Sequence, residues 1–175
     1  MLSTPLESLH GHEARWCRRA NRWCRRRPVR RFFATVSWLG DGIFWYALMG
    51  LLVLTDGIDG VSASAHMAAT GVVALTLYKT LKRWTRRPRP FAKHPRIRAW
   101  VAPLDEFSFP SGHTLHAVSF SIVALAHYPW LASLLAPFTA CVALSRVVLG
   151  LHYPSDVLAA TAIGSSLAIF SLWVV

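Results

Sequence analysis

Three short clusters of residues hold the groups that could do chemistry in this chain. Lys82 and Arg89 lie in a basic stretch around the run RRPRP at residues 86–90. Pro110-Ser111-Gly112-His113 follows, and the last cluster runs from Ser145-Arg146 to His152 and Asp156. An oxyanion with several negative charges needs clustered cations, and arginine offers a planar donor fork suited to phosphate. Lys82, Arg89 and Arg146 are expected to supply that charge at one membrane face. Pro110-Ser111-Gly112-His113 reads as a helix opening, in which proline suits the first turn and Gly112 lets backbone N–H groups approach an anion. Ser111 adds a hydroxyl donor. Together these groups would stabilise the equatorial oxygens of a phosphoryl group in transfer, where catalysis is mainly positioning and electrostatics. His113, His152 and Asp156 complete the set needed for covalent transfer. A histidine nucleophile must be neutral at the attacking nitrogen and oriented through the other, and Asp156 is suited to accept from that second ring N–H of His152.

In this order and at these spacings, the three clusters resemble the type 2 phosphatidic acid phosphatase superfamily, membrane lipid phosphatases whose sites also resemble those of vanadium haloperoxidases. The motifs carry the resemblance from Lys82 to Asp156, and a helical framework extends it over most of the chain. It implies that His152 is the nucleophile and Asp156 its partner. His113 would protonate the leaving oxygen and then activate water, ordinary work for a group of near-neutral pKa. The sequence contains no carboxylate cluster for Mg²⁺ or Zn²⁺, so no metal and no cofactor is expected. Three rival readings remain open: a lipid phosphotransferase using the same site, a vanadate-dependent oxidant, and a non-catalytic membrane scaffold or transport subunit.

The elements that must position these residues are apolar helices. The chain has 175 residues, of which 54% are hydrophobic and only 15% charged, yet its net charge is +11. So apolar a composition excludes an ordinary soluble globule. Nucleic-acid binding, the usual alternative for such a charge, competes poorly because long apolar segments flank both basic clusters. A bilayer core of about 30 Å needs about 20 apolar residues in a helix. Residues 32–55, 61–78, 111–128, 129–149 and 157–175 are the five candidate spans. No period-2 alternation suggests a barrel, so the expected fold is an all-α bundle.

Residues 1–31 differ from the rest. The run RWCRR occurs at residues 15–19 and again at residues 22–26. On a helix, Trp16, Ala20, Trp23 and Cys24 would share one stripe, with arginines around it, as in an amphipathic helix lying at a membrane surface. The expected organisation is therefore an interfacial helix (1–31) followed by a membrane phosphatase region (32–175). An even number of crossings between the N-terminal arginines and His152 puts both on one face. The positive-inside rule makes that face cytoplasmic. A site there implies a substrate whose headgroup lies at the surface and whose tail stays in lipid: phosphatidic acid, phosphatidylglycerol phosphate or a polyprenyl pyrophosphate. Cys17, Cys24 and Cys141 lack the spacing of a disulfide framework or a zinc site. Arg87 and His116 are further candidates for the pocket, and Asp41 is an ionisable group inside a span, where a functional role is the default.

Overall fold

The computed structural model describes residues 5–174, with side chains from residue 11 onward. The described chain forms α1 (Pro5–Asn21), a 3₁₀ turn (Arg22–Arg25), α2 (Arg27–Trp38), a π-helical turn (Leu39–Ile43) and α3 (Phe44–Thr85). A short α4 (Pro90–Lys93), α5 (Gly112–His127), α6 (Ala132–Val148) and α7 (Pro154–Val174) complete it. Extended pairing among the described residues is limited to one isolated bridge, between Pro88 and Phe107. The fold is an all-α membrane bundle.

α3 is two helices joined at a reversal. Gly57 has φ 55° and ψ −121°, a conformation that favours glycine, and the chain doubles back there. The two arms then pack tightly: Ser64 Oγ donates to the Met49 carbonyl at 3.0 Å. A Cβ at Gly60 would lie 2.0 Å from the Leu52 oxygen, so only glycine permits the approach. The second arm stops at Arg86, which takes a left-handed conformation (φ 46°). Pro88 follows and cannot resume the helix.

Three helical runs are long and apolar enough to cross a membrane: Arg27–Thr85, which contains the reversal, Pro129–Val148 and Pro154–Val174. The segment expected as a third span is shorter than its neighbours. α5 has 16 residues, about 24 Å of helix, and is packed by α3, α6 and α7. Its interior position explains how a short helix serves: Leu115, Ala117, Val123 and Ala124 are fully enclosed. Where α5 meets α7, Gly164 is close enough for Ser119 Oγ to donate to its carbonyl at 3.2 Å, the small-residue contact typical of membrane helices. Trp45, Leu48 and Met67 of α3 meet Phe120 and Val123 of α5 and Leu135 and Val142 of α6 in the main core.

The stripe expected on the N-terminal helix is replaced by another. Cys17, Asn21 and Cys24 face the protein, while Trp16 and Trp23 are exposed (62% and 53%). Cys17 packs in a cluster with Ile97 and Tyr153, and Cys24 in one with Phe33, Val148 and Leu149. Asn21 is the polar fastener between them. Its Nδ2 donates to the carbonyls of Arg98 (2.9 Å) and Val148 (3.0 Å), and its Oδ1 accepts from the Arg98 N–H at 3.0 Å. The expected stripe puts Cys24 on the face of the tryptophans because it takes the bilayer as the only apolar partner. The loop after α4 supplies a second.

Candidate active site

The end of α3, the loop that follows it, the start of α5 and the α6–α7 turn converge on one cavity of ≈ 360 Å³. Lys82, Arg89, Gly112, His113, Arg146 and His152 all line it, with Asp41, Asp105 and His116. Six of the eight residues expected in the site thus share one space. Ser111 and Asp156 are fully buried and absent from that lining. Ser111 is the N-cap position of α5. Its hydroxyl pairs with Thr114 Oγ1 at 3.0 Å, and its N–H donates to the Asp156 carbonyl at 3.3 Å. In this structure the Ser111 hydroxyl, expected to face phosphate, is turned to Thr114, and the residue joins α5 to α7.

His152 is set by a turn that only glycine can make. Gly150 follows α6 with φ 80°, and a Cβ there would meet the Arg98 oxygen at 2.4 Å. The chain turns over and delivers His152, 1% exposed, to the cavity. The ring's two nitrogens have unlike partners. Nδ1 is 2.6 Å from the Ser108 carbonyl, and Nε2 is 3.2 Å from Arg89 Nη1. A carbonyl only accepts and a guanidinium only donates, so the proton is on Nδ1 and the lone pair on Nε2. Burial, then Arg146, Arg89 and Lys82, push the His152 pKa well below its ordinary value. His152 is a neutral imidazole whose Nε2 electron pair faces the cation-rich cavity beside Arg89.

The expected hydrogen bond from His152 to Asp156 is not made. Asp156 Oδ2 stands 3.7 Å from Nδ1. Its oxygens are already engaged: Oδ2 accepts from the Tyr153 N–H at 2.8 Å and Oδ1 from Arg87 Nη1 at 2.5 Å. The Ser108 carbonyl takes the orienting role, and Asp156 supplies a buried negative charge beside the ring.

The cations are held by groups that the sequence reading did not single out. Lys82 Nζ donates to both oxygens of Asp105 at 2.6 Å and to the Phe107 carbonyl at 3.0 Å. Arg89 donates to the Asp105 carboxylate (2.8 Å), the Asp105 carbonyl (2.9 Å) and the Leu151 carbonyl (2.9 Å). Burial works against the Asp105 carboxylate, but Lys82 and Arg89 outweigh it and hold its pKa below the usual range. Arg146 donates to Ser37 Oγ, while its buried Nε has no hydrogen-bond partner among the described residues. An anion in the cavity would satisfy it. On the opposite wall, Asp41 Oδ1 lies 3.3 Å from His113 Nε2. His116 Nδ1 lies 3.0 Å from the Gly112 carbonyl and Nε2 3.3 Å from the Gly71 carbonyl; a carbonyl only accepts, so the ring nitrogen that carries the proton is the donor. Arg87 is turned away from the cavity toward Asp156 and Glu13.

Beyond the polar end, Trp45, Tyr46, Met49, Val72 and Leu75 make the same cavity apolar.

The PAP2 superfamily profile matches residues 59–175. Phosphatidylglycerophosphatase B of Bacillus subtilis is 33% identical over 143 residues, covering 72% of this chain and 59% of that protein. Decaprenylphosphoryl-5-phosphoribose phosphatase of Mycobacterium tuberculosis is 35% identical over 100 residues, 56% of this chain. The chain spans 53% of that relative's length. Among solved structures, LpxE of Aquifex aeolicus aligns with a TM-score of 0.77 and 25% identity, covering 90% of this chain and 92% of that one. The PAP2 type phosphatidylglycerolphosphate phosphatase of Bacillus subtilis aligns with a TM-score of 0.75 at 22% identity, covering 95% and 86%.

Proposed function

Because the chain belongs to the PAP2 superfamily, we propose that it is a membrane phosphatase removing the terminal phosphate of a lipid phosphate or diphosphate through a phosphate carried on His152. Lys82, Arg89 and Arg146, with the backbone at Gly112, would bind the phosphoryl oxygens. The Nε2 lone pair of His152 attacks phosphorus, the bond to the lipid oxygen breaks, and His113 gives that oxygen its proton. Water then attacks the phosphohistidine, His113 recovers a proton from it, and the nitrogen–phosphorus bond returns its electrons to Nε2. The observation that carries this reading is the tautomer of His152, locked with its lone pair toward the cationic cavity.

The relatives' names include phosphatases of decaprenylphosphoryl-5-phosphoribose, of phosphatidylglycerophosphate and of undecaprenyl diphosphate. The apolar half of the cavity suits the lipid part that these substrates share. Phosphatidic acid, phosphatidylglycerol phosphate and polyprenyl diphosphates are accordingly the substrates to test. With three side-chain cations where a metal would otherwise stand, turnover is expected to be metal-independent. We also read residues 1–31, of which residues 1–4 lie outside the described ones, as an interfacial element, with Trp16, Trp23 and the arginines at the headgroups, and the site as facing the cytoplasm.

The test is phosphate release from the three lipid classes by detergent-solubilised protein in EDTA, with acid-labile protein-bound phosphate trapped during turnover. His152→Ala should abolish both signals. His113→Ala should slow formation and hydrolysis of the phosphoprotein without removing its attachment site. Turnover by His152→Ala, or restoration only by added Mg²⁺, would sink the mechanism.

A further inference from the structure

The N-terminal helix reaches the buried charges behind His152. Glu13 Oε2 accepts from Arg87 Nη2 at 2.7 Å, and Oε1 accepts from the Ser155 N–H at 3.1 Å. Arg87 uses its other arm on Asp156 Oδ1 (2.5 Å) and Ser155 Oγ (2.7 Å), and its face covers Tyr153 at 4.3 Å from the ring centroid. Glu13, Arg87 and Asp156 thus form a chain of alternating charge ending 3.7 Å from His152 Nδ1. Residue 13 lies outside the matched region, 59–175.

We infer that Glu13 is a positioning residue for the Asp156–His152 pair, which makes α1 part of the catalytic machinery. The inference rests on His152 being the nucleophile. Its first ground is charge. Arg87 alone would cancel Asp156 and leave a neutral pair beside the imidazole. Glu13 restores a net charge of −1 to the group, opposite in sign to the positive charge that the imidazole ring takes on when Nε2 bonds to phosphorus while Nδ1 keeps its proton. In a buried site this difference is felt strongly. The second ground is geometry. The guanidinium is a rigid fork pinned at both ends and stacked on Tyr153. Without Glu13 its free arm would swing to Asp156, whose Oδ2 would then be drawn from the Tyr153 N–H and from the ring. Both effects act on the step in which charge appears on His152. The phosphate cations have separate partners, Asp105 and Ser37, so substrate binding is left intact.

The experiment uses the full chain in detergent with dioctanoyl phosphatidic acid as assay substrate. Glu13→Ala should lower kcat about tenfold with KM unchanged within about twofold. Glu13→Gln keeps one oxygen acceptor and loses the charge, and should fall between the two. In an Arg87→Gln background, Glu13→Ala should have a much smaller effect, since only its contact with the Ser155 N–H is left to lose. Should the alanine variant fail to fold, the isosteric Glu13→Gln decides alone. A wild-type kcat for Glu13→Gln, a change confined to KM, or full additivity with Arg87→Gln overturns the inference. Turnover by His152→Ala would instead overturn the functional reading beneath it.

Discussion

At the scale of single residues, protonation is fixed by which partners can donate. The Ser108 carbonyl and the Arg89 guanidinium leave His152 one state, neutral with Nδ1–H. This has a consequence for stability. An unfolded histidine takes a proton near pH 6.5, whereas burial and three neighbouring cations hold native His152 neutral well below that. Below about pH 6.5 the unfolded state binds more protons, so the native state loses stability as pH falls. The melting temperature should drop between pH 7 and pH 5, and His152→Gln should flatten that slope. Equal slopes for the two proteins would show that His152 titrates normally. The sequence announced His152, His113, Lys82, Arg89 and Arg146 because phosphate chemistry needs those types and they stand in three motifs whose order and spacing resemble those of a known family. It did not announce Asp105, which stands 23 residues from Lys82 and 16 from Arg89 without a repeat to link them. A signal existed: three cations converging on one site need counter-charge, and the chain has only 8 acidic residues. Glu13 was hidden among arginines that look like a solvated face.

At the scale of elements, helix ends do the positioning. α3 ends at a left-handed Arg86 and sends Arg87 and Arg89 to opposite sides of His152. The Pro88–Phe107 bridge then holds Ser108 over the ring. α6 ends in the Gly150 turn, against Arg98, Asn21 and Ile97. The lengths of the apolar runs marked the segments that form α5, α6 and α7 to within a few residues. They could not give the shortness of α5, which depends on packing from three sides. Nor could they give the inward face of α1, which depends on a loop distant in sequence. The Gly150 turn is the most exposed of these devices to test. An alanine there takes a left-handed conformation at a cost of about 1–2 kcal/mol, and its methyl meets the Arg98 carbonyl, a backbone atom with little freedom to move. Gly150→Ala should lower the melting temperature and, by displacing His152, reduce phosphate release far more than the loss of folded protein explains. A variant with native stability and native kcat would mean that the turn does not set the ring.

At the scale of the molecule, the charge is polarised from one end of the bundle to the other. Glu13 touches Arg87 and Ser155, so the N-terminal helix and the cavity share an end. That end carries nine arginines at residues 15–31 and nine basic residues at 79–98. The other end is marked by the Gly57 reversal, where Tyr128 donates to Asp56 at 2.6 Å. The last turn of α7 lies there too, through Ser171, His66 and His127. Residues 54–64 and 127–134 contain no lysine or arginine, and Asp56 and Asp59 lie among them. The cations of the site are fixed there by chemistry and say nothing about sidedness. The N-terminal arginines are under no such constraint, apart from their place on α1, the 3₁₀ turn and α2, and they are the ground on which the positive-inside rule supports the cytoplasmic orientation we propose. The last residue should then be outside. Alkaline phosphatase, active only after export, is fused behind Val175 in one protein and green fluorescent protein, bright only in the cytoplasm, in another. Export predicts an active first fusion and a dark second one, provided that both release phosphate from the lipid substrate and are therefore folded. A silent phosphatase with a bright fluorescent partner would place the cavity on the outer face, leaving its internal chemistry unchanged and reversing the leaflet from which it draws substrate.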